Sequence, residues 1–244
     1  MSTLFTIGGI SIYTYGIFLV LGVLCGGYYM YNQTKKRGKS TELAFDLIVF
    51  PLLTGIIASR LSYYFIYLKK DNSIIEALRI WDGGMVSWGG FIVAIFTLLF
   101  VLKRYKEKPY SWLDIYSISA LLGLSVGRLG SFISGEYAGV STTLFSAFGG
   151  VHPVTLYESI LLLVLFLIYI YLYAKNSLKI DGYYFLSVLI WYSLIRFLMD
   201  FLRVDPKYFI GLSLTQIISS LIILSVTTFF FYKIFLRKGA KSAG

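Results

Sequence analysis

The chain has 244 residues, of which 57% are hydrophobic, 18% aromatic and only 14% charged. Soluble domains carry about 25% charged residues, so this composition, with a mean hydropathy of +0.76, excludes a water-soluble globular domain. The formal net charge of +10 sits in short basic clusters between apolar runs, which marks membrane topology rather than nucleic-acid binding.

Seven apolar runs follow one another at about residues 12–31, 44–66, 85–102, 112–133, 155–174, 183–201 and 212–232. Each approaches the roughly 20 residues that a helix needs to cross a bilayer. They are too long and too continuously apolar for barrel strands of about ten residues. The expected fold is therefore all-α: a single transmembrane domain over residues 1–244 with about seven spans. The first run is expected to be retained as a span, because no basic start of a signal peptide precedes it.

Loop charges orient these spans. One set of loops holds Lys35, Lys36, Arg37, Lys39, Lys103, Arg104, Lys106, Lys108, Lys175, Lys179, Lys233, Arg237, Lys238 and Lys241, fourteen in all. The opposite set holds five: Lys69, Lys70, Arg79, Arg203 and Lys207. The positive-inside rule puts the first set in the cytoplasm, with the N-terminus outside and the C-terminus inside. The uncharged outward loop at about 137–151 is rich in Gly, Ser and Thr and is expected to be flexible or re-entrant.

In chain order, the first span carries IYTYG with Tyr15, and also Cys25, whose expected role is that of a small apolar side chain. The second carries Arg60. WDGGMVSWGG enters the third. The fourth ends in GLSVGRLGSFISGEYAG, with Arg128 and Glu136, where glycines allow close helix approach or backbone access to a ligand. VHPVTLYES opens the fifth, with His152, the single histidine, and with Glu158, which at that depth needs a partner such as an arginine. The sixth carries YSLIRFLMDFLRVDP, where Arg196 and Asp200 are i,i+4 on one face and Arg203 is one turn further. Each intramembrane charge costs roughly 2.5–3.5 kcal/mol, so several together call for a use. Two arginines converging near the outer leaflet suit a phospholipid phosphate, because the guanidinium fork binds phosphate oxygens in pairs. With one histidine and one cysteine there is no metal-ligand cluster.

These motifs, in this order over essentially the whole chain, resemble the prolipoprotein diacylglyceryl transferase family. The resemblance implies a multi-pass protein of the cytoplasmic membrane, a monomer without cofactor. It implies transfer of a diacylglyceryl group from a phosphatidylglycerol-like donor to the lipobox cysteine of a preprolipoprotein, forming a thioether and releasing glycerol 1-phosphate. Arg128 and Arg196 would hold the lipid phosphate. Glu136 and Asp200 would orient them or move a proton, and Tyr15 matches a tyrosine important for activity. Ser131, Gly139, Tyr192, Arg203 and His152 complete the expected substrate-binding set. The sequence departs from the family pattern at Trp88, where a histidine is usual, at Ser131 and Ser134 (asparagine), at Val140 (arginine) and at Asp200 (glutamate). Tryptophan cannot accept a proton. The alternative expectation is a phospholipid-binding membrane paralogue that is non-catalytic or acts differently.

Overall fold

The computed structural model describes residues 3–7, 10–66, 87–175 and 180–242. Helices dominate: α1 (Thr14–Lys36), α2 (Thr41–Ile66), α3 (Ser87–Arg104), α4 (Pro109–Ile133), α5 (Val154–Ala174), α6 (Tyr183–Met199) and α7 (Leu214–Ser242). A 3-10 turn, Asp200–Leu202, extends α6. Five of these stretches, Thr14–Lys36, Thr41–Ile66, Pro109–Ile133, Val154–Ala174 and Tyr183–Leu202, are long and apolar enough to cross a membrane. α7 adds a shorter apolar stretch, Leu214–Phe230. Lys69, Lys70, Arg79 and Lys179, the stretch WDGGMV and the Trp88 side chain lie outside the described residues.

The all-α expectation agrees with the structure, whose long elements are helices. Among the described residues, three short two-stranded sheets lie between the helices: β1 (Thr3–Ile7) with β2 (Ile10–Tyr13), β3 (Ala138–Ser141) with β4 (Val151–Pro153), and β5 (Lys207–Phe209) with β6 (Leu212–Ser213). The expected flexible loop at 137–151 is thus an antiparallel hairpin, with a register shift between Ala138 and Ser141. Chain outside the hydrocarbon still has to pair its backbone polar groups, and short ladders do this.

The chain divides into two compact units. One is residues 27–112, with the second part of α1, α2 and α3. Here small residues let α2 and α3 pack closely: a Cβ on Gly90 would lie 2.6 Å from the Gly55 carbonyl oxygen, and the Thr54 and Thr97 hydroxyls are 2.9 Å apart. Arg60 belongs to this unit, buried on α2 with the Tyr63 ring 5.7 Å away. At one end of the unit Lys39 hydrogen-bonds Ser111 (2.9 Å) and lies over the ring of the fully buried Trp112.

The other unit holds β1, residues 11–26 with the end of β2 and the first part of α1, and everything from Leu113 onward. A Cβ on Gly22 would meet the Gly123 carbonyl oxygen at 2.5 Å, and one on Gly130 would meet Phe18 Cβ at 2.2 Å. The glycines of the GLSVGRLG stretch therefore serve the approach of α1 to α4. α5 joins α4 through the Ser159 hydroxyl, which donates to the Ser125 carbonyl (2.8 Å). α6 is anchored at its start by the buried Asp114 of α4, whose carboxylate accepts the Gly182 and Phe185 N–H groups, both at 2.8 Å. These are two of the donors a helix N-terminus leaves open.

Candidate functional site

The site lies in the second of these units, where α4 ends and α5 begins. Gly135, at φ +87°, stops α4. The Glu136 N–H donates to the Ser131 carbonyl and the Gly135 N–H to the Phe132 carbonyl, the pair of bonds that closes a helix on a left-handed residue. Glu136 then leads directly to the start of α5. The Thr155 hydroxyl donates to the Glu136 carbonyl (2.8 Å), and the Val154 N–H to the Tyr137 carbonyl (3.1 Å). These ties set Glu158, one turn into α5, beside Arg128 on α4.

Glu158 is the centre of the arrangement. It is 1% exposed. Arg128 Nε stands 2.8 Å from Glu158 Oε2 with its N–H turned off the oxygen, an ion pair rather than a hydrogen bond. Arg196 Nη1 of α6 donates to the other oxygen, Oε1. Three helices thus converge on one carboxylate. The two arginines flagged in the sequence are brought together, but through Glu158, which was noted there only as a charge needing a partner. Two bare guanidiniums at this depth would repel each other and lose hydration; a shared carboxylate offsets both costs.

The chain of charges continues along α6. Arg196 Nη2 lies 3.6 Å from Asp200 Oδ1, and Arg203 Nε lies 3.6 Å from the same oxygen. Arg203 also pairs with Asp205 at 2.8 Å. The expectation that Arg203 extends the α6 face needs correction. α6 ends at Met199, and Arg203 is an extended residue after the 3-10 turn. It still reaches Asp200 because that turn is tight. Burial pulls the Arg203 pKa down, but Asp205, Glu158 and Asp200 outweigh it and leave the group above its ordinary value, so it stays charged. Three guanidiniums therefore face three carboxylates. Among the described residues, the carboxylate paired with both Arg128 and Arg196 is that of Glu158.

The other expected residues lie around this network. Tyr15, at the start of α1, is within electrostatic reach of Arg128 and Glu136. Ser131 is buried one turn beyond Arg128. Tyr192 is half-buried, one turn before Arg196 on α6. Gly139 sits in β3, bridged to Arg203, and a Cβ there would lie 2.0 Å from the His152 carbonyl oxygen. Only a glycine fits between those strands. His152, in β4, packs its ring on Tyr157 (6.2 Å), and its buried Nδ1 has no hydrogen-bond partner among the described residues. Arg203 Nη1 is likewise buried without one among the described residues. Arg128 is the most open of the three arginines, at 30% side-chain exposure against 12% for Arg196 and 17% for Arg203. Among the described residues its terminal nitrogens have no partner, so it presents a free fork at the most exposed edge of the cluster.

Comparison with known proteins bears on this arrangement. The family model for prolipoprotein diacylglyceryl transferase matches residues 2–232. A protein of Finegoldia magna is 34% identical over 227 residues, covering 91% of each chain. One of Thermotoga maritima is 31% identical over 241 residues, covering 91% of this chain and 80% of its own. One of Lactobacillus acidophilus is 27% identical over 250 residues, covering 94% and 88%. All three are named phosphatidylglycerol–prolipoprotein diacylglyceryl transferase.

Proposed function

This chain belongs to the prolipoprotein diacylglyceryl transferase family, and from that premise we propose that it moves the diacylglyceryl group of a phosphatidylglycerol-like lipid onto the lipobox cysteine of a preprolipoprotein. The cysteine sulfur attacks the glyceryl carbon that bears the phosphate. The S–C bond forms, the C–O bond breaks, and glycerol 1-phosphate leaves with the bonding electrons. The thiol proton passes to a base. The nucleophile is the substrate's cysteine, so Cys25 takes no part.

The observation that carries this reading is the Arg128–Glu158–Arg196 junction, with the open fork of Arg128 at its edge. A phosphate docking on that fork is held by paired N–H donors. As the leaving group gains charge, the same donors and the nearby Arg196 stabilise it. Glu136 is the better placed proton acceptor. It is half-buried and close to Tyr15, whereas Asp200 is fully buried among partners. A thiol with an ordinary pKa near 8.5 needs only modest help.

The remaining chain fits a multi-pass protein of the cell membrane with about seven spans. The fourteen-to-five division of loop Lys and Arg supports an outside N-terminus and a cytoplasmic C-terminus. The hairpin end of the helices, with the arginine cluster, then faces outward, where lipoprotein precursors emerge. The protein acts as a monomer.

The test is mass spectrometry of a lipobox peptide incubated with the purified protein and phosphatidylglycerol. The peptide gains one diacylglyceryl mass on its cysteine, and Arg128→Ala removes the product. Equal product from both proteins would defeat the assignment. The second reading, a lipid-binding paralogue, rests on Trp88. It predicts no product from the unaltered chain and some from Trp88→His.

A further inference from the structure

Asp200 is completely buried, yet both of its guanidinium neighbours stand at 3.6 Å, beyond hydrogen-bonding distance. Among the described residues, the hydrogen bond to its carboxylate comes from the Ser213 hydroxyl, which donates to Oδ2. Ser213 lies just before α7. Its N–H donates to Gln216 Oε1 at 3.0 Å, and its hydroxyl oxygen accepts the Gln216 N–H at 3.1 Å. That reciprocal pair is a capping box, S-x-x-Q. Gln216 is 0% exposed, and its Nε2 donates to the Phe197 carbonyl of α6 at 3.4 Å, next in sequence to Arg196.

An ordinary cap needs only an acceptor, and Asp or Asn would serve as well as Ser. Here the hydroxyl is used twice. Its lone pair closes α7 and its one proton goes to Asp200. It cannot rotate to favour one partner without losing the other. We propose that Ser213 and Gln216 are positioning residues that fix the Asp200 carboxylate, and through it set where the Arg196 and Arg203 guanidiniums stand in the transfer site. The proposal rests on the transferase reading for its kinetic consequence, but not for its structural one.

Two measurements on the purified full chain test it. Ser213→Gly removes the hydroxyl at a cost to the cap of only a few tenths of a kcal/mol. Ser213→Thr keeps it. With a lipobox peptide and phosphatidylglycerol, kcat/KM falls by roughly tenfold or more in Ser213→Gly, because a small misplacement of a binding group is costly. The thermal midpoint falls as well, because the buried Asp200 carboxylate loses its hydrogen bond, and Ser213→Thr retains most of the activity and of the midpoint. A midpoint loss with unchanged activity per folded molecule would reduce Ser213 to a helix cap and overturn the proposal. The second measurement needs no activity: a thermal-stability cycle combining Ser213→Gly with Arg196→Met. Residues in one network are non-additive, so the double variant loses less than the sum. Simple additivity overturns the proposal. Failure of the transferase reading would show separately, as an inactive unaltered chain or an active Arg128→Ala.

Discussion

Replacing Glu158 by Gln is the sharpest single perturbation of the arginine cluster. The side chain keeps its volume and one carbonyl acceptor, but it loses the charge and turns an NH2 donor toward one of the two guanidiniums. Two guanidiniums depend on that charge: Arg196 is 12% exposed, and Arg128 stands 2.8 Å away at 30%. Removing one partner of a buried ion pair costs about 3–5 kcal/mol. The open side of Arg128 lets water recover part of that loss, which puts the expected cost near the lower bound, about 3 kcal/mol. For a chain of this size each kcal/mol shifts the melting point by roughly 2–4 °C. Glu158→Gln is therefore expected to melt some 6–12 °C lower in the same detergent, and to lose transferase activity even well below its midpoint. Scanning fluorimetry with the lipobox assay reads both. A midpoint within experimental error of the unaltered chain would show that the two arginines do not rely on Glu158.

Other expectations follow from the same coordinates. Gly139→Ala sets a Cβ 2.0 Å from the His152 carbonyl oxygen, so β3 and β4 must part; a loss of about 2 kcal/mol and of activity is expected in melting and transfer assays. Asp114→Ala leaves the Gly182 and Phe185 N–H groups without their acceptor; it lowers stability by about 2 kcal/mol while activity per folded molecule persists. In a Cys25→Ser background, Phe145→Cys, fully exposed in the β3–β4 loop, reacts in whole cells with a membrane-impermeant maleimide, whereas Lys238→Cys reacts only after lysis. The opposite labelling pattern would reverse the topology.

Much of the helical framework is legible in the sequence, because the bilayer demands long apolar runs with satisfied backbones. α4, α5 and α6 lie close to where hydropathy puts them. α7 runs to Ser242, ten residues past the apolar run expected to end at 232. The hairpins are not legible: strands of two to five residues carry no usable alternation. Arg128 and Arg196 stand out as charges in apolar surroundings. Glu158 stands out too, but its partners are 30 and 38 positions away, and only the joining of α4 to α5 brings it between them. Gly139 matters because of a strand that sequence spacing does not reveal. The Ser213–Gln216 box had a readable signal, S-x-x-Q before an apolar run, whereas the use of its proton on Asp200 depends on where α6 stops.

The central claim is that the donor phosphate docks on the open fork of Arg128, beside the carboxylate shared with Arg196. A structure of the protein in nanodiscs of phosphatidylglycerol measures this directly. The account predicts phosphate oxygens within hydrogen-bonding distance of the Arg128 terminal nitrogens. A lipid phosphate bound elsewhere, with that fork left empty, would contradict it.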